Sequence, residues 1–183
     1  TSDKAMLVFT EGFWTPEHPM SEVPAIFLAM ALTTKSLVVI VEGFPRDPVS
    51  FTDGTALTPG SEWPEFAVET FSRFLSTGDT TWPIMCPLVK ASVRAMDTVH
   101  DYAQKELHLE APISQFLFTG DTNGWGVWLT ETVDSRVGAI APVGFDLLNV
   151  SAQIEHQVGF RGELSSFLNQ FSLRGLMPEL DTE

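Results

Sequence analysis

The sequence predicts an α/β fold: a three-layer α/β/α sandwich around a mainly parallel sheet of about four strands. Three observations carry that prediction. Short apolar runs closed by glycine or proline alternate along the chain with longer segments whose apolar residues recur at helical spacing. The runs are continuous where a one-sided strand would alternate, as expected of strands covered on both faces. The alternation repeats in units of a few tens of residues, the length that joins parallel strands through crossover helices.

The first strand is expected at 6–11, where Met6-Leu7-Val8-Phe9 runs apolar and Gly12 ends it. Val23 to Leu32 reads as a helix. SLVVIV at 36–41 is a second buried strand, rich in β-branched residues and closed by Gly43 and Pro45. Residues 45–61, with three prolines and two glycines, form a loop. Glu65–Leu75 carries Phe66, Val68, Phe71, Phe74 and Leu75 at helical spacing, and Leu88–Leu107 repeats the pattern over a longer span. The third strand is expected at 114–119, a glycine turn at 120–124, a helix ending near Val133 and a fourth strand at 137–143. From Ser151 onward the chain is helical. No repeat or linker interrupts it, so 1–183 is read as a single, partial domain.

Of the 183 residues 44% are hydrophobic and 19% charged, which is globular, and no apolar run reaches the roughly 20 residues that cross a bilayer. Ten Lys and Arg against 24 Asp and Glu leave a net charge of −14 with the cations scattered singly, which makes nucleic acid and anionic membrane surfaces poor partners; no nucleic acid partner is expected. Cys86 is the only cysteine, so no internal disulfide and no thiolate zinc site can form. Thr1 opens no basic, apolar leader, and no signal peptide is read in this chain. Asn149-Val150-Ser151 fits an N-glycosylation sequon, although the apolar Phe145 to Leu148 before it argues for burial.

The turn Gly120-Asp121-Thr122-Asn123-Gly124 is the chemical focus. A GxSxG turn between strand and helix is where an α/β-hydrolase holds its serine, and Gly120 and Gly124 supply the small flanking residues that such an elbow requires. Thr122 would stand at the apex. The amide of Asn123 would give one oxyanion donor and the Gly12-Phe13 loop the other. Trp14, Trp125, Phe145 and Asp146 would line the pocket. Threonine is a poor nucleophile here: its β-methyl crowds a strained backbone, and it lacks the terminal amine that activates catalytic threonines. The competing reading is a capping turn, with Thr122 or Asp121 accepting backbone N–H bonds from the helix. A phosphate loop is not indicated, since neither GK[ST] nor GxGxxG is present. No cofactor and no metal site is expected. A triad also needs a histidine. His156 alone follows Thr122, and it reads as a surface residue, whereas His18, His100 and His108 precede the turn. Asp134 with Arg136 reads as an ion pair at a helix end.

The segments WPIMCPLVKASVRAMDTVHDY (82–102), FLFTGDTNGWGVWLTETVDSRVGAIAPVGFDLLN (116–149) and VGFRGELSSFLNQFSLRGLMPELDT (158–182) resemble the PhoPQ-activated pathogenicity-related protein family. The resemblance is densest in Lys90–Asp97 and Trp128–Asn149. It implies a secreted protein with an α/β-hydrolase fold, of which this chain is a truncated core without the hairpin before Met6 and without the later strands bearing acid and histidine. Where members carry Gly-Ala-Ser-Lys-Arg-Gly-Trp, this chain has Gly120-Asp121-Thr122-Asn123-Gly124-Trp125, one residue shorter and without serine. The expectation is a catalytically inactive member acting as a binding, signalling or structural subunit, with a protein partner or a second copy covering the sheet edges. The alternative is part of a serine-hydrolase-type esterase or peptidase.

Overall fold

A computed structural model describes residues 3–10, 23–42, 44, 49–61, 63–120, 124–143 and 149–177. The chain divides into two compact units, one formed by Thr1–Arg46 with Pro87–Phe145, the other by Asp47–Cys86 with Asp146–Glu183.

The first unit holds a four-stranded, all-parallel sheet in the order β2-β1-β3-β4, built from β1 (Lys4–Phe9), β2 (Leu37–Val41), β3 (Gln115–Gly120) and β4 (Val137–Pro142). The expected strands at 6–11, 36–41, 114–119 and 137–143 are all present with ends moved by one or two residues, as strand ends fray. β1 is central and buried from Ala5 to Phe9, which its unbroken apolar run requires. β3 alternates, with Phe116, Phe118 and Gly120 buried, and the Phe118 ring stacks on Phe9 at 5.9 Å. β2 departs from expectation. It is an edge strand, half-exposed at every position, because among the described residues only β1 pairs with it. β4 forms the other edge and is more exposed still.

The winding follows from this order. β1 to β2 steps one way along the sheet and β3 to β4 the other, so right-handed crossovers put α1 (Ala25–Thr34) on one face and α4 (Gly124–Val133) on the opposite face. The step from β2 to β3 runs in the direction of α4 and brings α3 (Met85–Lys105), part of this unit from Pro87 on, to the same face as α4. Three layers result. α3 buries Leu88, Ser92, Met96, Val99 and Ala103, a stripe at four- and three-residue steps. It starts before the expected Leu88, since Pro87 sits in the first turn, where its missing N–H costs nothing. α1 is nearly all apolar yet buries no residue, with Ile26, Leu28 and Leu32 exposed.

The second unit is α2 (Trp63–Thr77), α5 (Val150–Arg161) and α6 (Ser166–Leu173) with the loop 49–61. Phe71 of α2 meets Phe171 of α6 at 6.3 Å, and Arg174 reaches Glu69 at 3.1 Å. Arg73 of α2 holds the loop: its guanidinium lies 4.1 Å from the Phe51 ring and 4.8 Å from Trp82, pairs with Asp53 and bonds Glu69 at 2.9 Å. The loop, expected to be irregular, carries an antiparallel bridge between Ser50 and Ala56.

Candidate functional site

In a doubly wound sheet the carboxyl ends of the two strands where winding reverses form the natural binding crevice, because the helices diverge there. Here those strands are β1 and β3, paired in register from Lys4 with Gln115 to Phe9 with Gly120. The segment carrying Gly12, Phe13 and Trp14 leaves the end of β1, and Asp121, Thr122 and Asn123 leave the end of β3. These residues, with Phe145, Asp146 and His18, lie outside the described residues.

What surrounds them is defined. A side chain on Gly120 would place its Cβ 2.9 Å from Phe9 Cβ and 3.0 Å from the Phe9 carbonyl oxygen, so only glycine allows β3 to lie this close to β1. The Val143 N–H donates to the Gly120 carbonyl at 2.8 Å. Gly124 is the first, buried residue of α4, four positions after the last residue of β3. Trp125 follows, half-buried. Gly126, which the motif does not include, is tighter still than Gly120, since a Cβ there would stand 2.4 Å from Leu88 Cδ2. The second glycine of GWGVW was its only sequence trace. Beside β1, the Thr10 N–H donates to the Val41 carbonyl at 3.2 Å and its hydroxyl to Glu42 Oε1 at 3.3 Å, which puts a carboxylate at the carboxyl end of β2.

A groove of about 560 Å³ between α1 and β2 was not foreseen either; Phe27, Leu28, Val38 and Ile40 line it, with Glu42 at one side. The signal for it was an uncharged helix, AIFLAMALTT, in an acidic chain.

The histidines of the sheet unit that are described stand elsewhere. His100 Nδ1 lies 3.2 Å from the Ile113 carbonyl, just before β3 begins, and His108 sits on the connection into the same end. A six-residue strand is roughly 20 Å long, so both are a full strand away from Gly120. His156 is exposed on α5, its ring stacked on Phe160 at 6.1 Å, as a surface histidine should be. The carboxylates held below their ordinary range in this unit also belong to other places. Asp134 and Asp97 are lowered chiefly by hydrogen bonds from Arg136, which pairs with them at 2.7 and 2.9 Å just before β4. Asp101 is lowered by Lys105. The expected Asp134–Arg136 ion pair is therefore present, joined by Asp97 from α3. Among the described residues, no three His, Cys, Asp or Glu side chains gather as metal ligands would, and no helix is long and apolar enough to cross a membrane.

Fold and strand ends thus define an α/β protein wound both ways from a switch point between β1 and β3. The chain matches the PhoPQ-activated pathogenicity-related protein family over residues 1–183 and belongs to that family. It is also similar to Autocrine proliferation repressor protein A of Dictyostelium discoideum, at 28% identity over 155 residues, 83% of this chain and 30% of that protein. The chain therefore spans about 30% of the length of this curated relative. No solved structure matches it.

Proposed function

We propose that this chain is a catalytically inactive, α/β-hydrolase-like member of its family that works by binding a protein partner, in an extracytoplasmic signalling role. The observation that carries the reading is the pairing of an elbow-type sequence, Gly120 to Gly124, that has threonine where the serine motif has its nucleophile, with both described histidines of the sheet unit at the far end of β3. A hydroxyl with no general base beside it loses the roughly 10² to 10⁴ in rate that proton transfer supplies. The relative is named as an autocrine repressor of proliferation, a signalling description, and this supports a binding role outside the cell. The exposed, uncharged α1 and the half-open β2 edge beside it offer apolar surface for such a partner or for a second copy. Fold and elbow would then serve recognition, with the half-buried Trp125 at the start of α4 contributing to the surface there.

A fluorophosphonate probe and light scattering test the two halves. The reading expects no covalent labelling and a solution mass above that of one chain. Labelling at Thr122 would establish the serine-hydrolase alternative, and a stable monomer would remove self-association.

A further inference from the structure

We propose that Asn149 is the acceptor of an N-linked glycan. Asn149-Val150-Ser151 is the only Asn-x-Ser/Thr triplet in the sequence. The burial expected from the apolar residues before it does not extend to the triplet: Asn149 and Ser151 are exposed and Val150 is half-exposed. A glycan is added to a chain before it has folded, so exposure in the folded state decides whether it can remain without displacing the core.

The local geometry is compatible with a modified side chain. Asn149 is the N-cap of α5, with φ −124° and ψ 87°, and its Oδ1 accepts the Ala152 N–H at 3.1 Å. The cap thus uses the oxygen of the amide, and the nitrogen is the atom that is glycosylated. In the transfer, Nδ2 forms a bond to the sugar C1 while the C1–oxygen bond to a lipid-linked pyrophosphate donor breaks; the lipid pyrophosphate leaves and a base of the transferase takes the Nδ2 proton. Oδ1 is untouched, so glycosylation and capping are compatible on one side chain. α5 buries no residue, so a bulky sugar at its start has no packed face to disturb. The inference goes beyond the binding role and is independent of whether Thr122 is reactive.

The test is the full chain, sent through the secretory pathway of cultured eukaryotic cells by a supplied cleavable leader. Digestion with peptide-N-glycosidase in heavy-oxygen water is expected to lower the apparent mass by one glycan and to convert Asn149 to labelled aspartate. Asn149→Asp retains a good cap and Ser151→Ala retains Asn149, and both are expected to lose the shift while still folding. The secreted and the retained pools are read alike, alongside a control glycoprotein from the same cells. An unshifted wild-type chain beside a digested control, or a shift that persists in both variants, would overturn the assignment.

Discussion

A methyl group on Gly126 would stand 2.4 Å from Cδ2 of Leu88 and 2.6 Å from its Cγ, so α4 and α3 meet with no room for a side chain between them. Leu88 is fully buried and cannot swing into solvent. Gly126→Ala is therefore expected to destabilise by about 1–3 kcal/mol through overpacking, despite the gain in helix propensity. Leu88→Ala alone should cost about 2–5 kcal/mol through its cavity. The double variant should lose clearly less than the sum, because each change makes room for the other; chemical denaturation of the four proteins gives the coupling.

Replacing Arg73 by lysine keeps the charge but loses the planar group that lies against both Phe51 and Trp82. A loss of about 1 kcal/mol is expected, together with faster proteolysis within 49–61. Unchanged cleavage there would show that the loop is held by other contacts.

Acid should loosen the same loop. Hydrogen bonds from the Thr55 hydroxyl and amide, then the Arg73 guanidinium, hold the Asp53 carboxyl down at about 2 from an ordinary 3.8. A depressed carboxylate adds stability that is complete above its unfolded value and is lost as pH falls toward its folded one. The charge-dependent part of the advantage of wild type over Asp53→Ala should thus be constant near neutrality, shrink below about pH 4 and be lost as pH falls through about 2. Unfolding midpoints across that range check it.

Arg136 divides its charge between Asp134, whose side chain is 14% exposed, and Asp97, at 40%. Double-mutant cycles should give the larger coupling for Asp134. The Asp97 coupling should lie in the roughly 0.2–1 kcal/mol range of exposed pairs and fall further in salt.

Thr122→Ser is expected to change stability by no more than about 1 kcal/mol and to leave p-nitrophenyl ester turnover at background, since a serine hydroxyl still needs a base. Robust turnover would reveal that base.

The sequence carried the local features well. Met6 to Phe9 could only be a doubly covered strand, and the buried stripe of α3 is written in its spacing. What it could not carry depended on partners distant in the chain. SLVVIV reads the same at the edge of a sheet as at its centre, because its exposure is set by how many strands pair with it. Gly120 was visible through its motif, but the need for Gly126 comes from Leu88 on another helix. Arg73 was one cation among ten until Phe51 and Trp82 closed around it. The burial expected for Asn149 fails because three apolar residues before it, Phe145, Leu147 and Leu148, say little about a residue that begins a new helix.

The pairing of β1 with β3 also sets a schedule for synthesis. The innermost strand is made long before one of its two neighbours: Asp3 accepts a hydrogen bond from Ser114 across 111 positions, and Lys4 pairs with Gln115. At about 5–20 residues per second a ribosome needs roughly 6–20 s to cover that interval. Throughout it the most buried strand of the sheet has an open side, with β2 the neighbour already available. Nascent chains of this protein should accordingly depend on chaperone cover until β3 emerges, and slowed translation between 42 and 114 should lower the folded yield more than the same delay after 120.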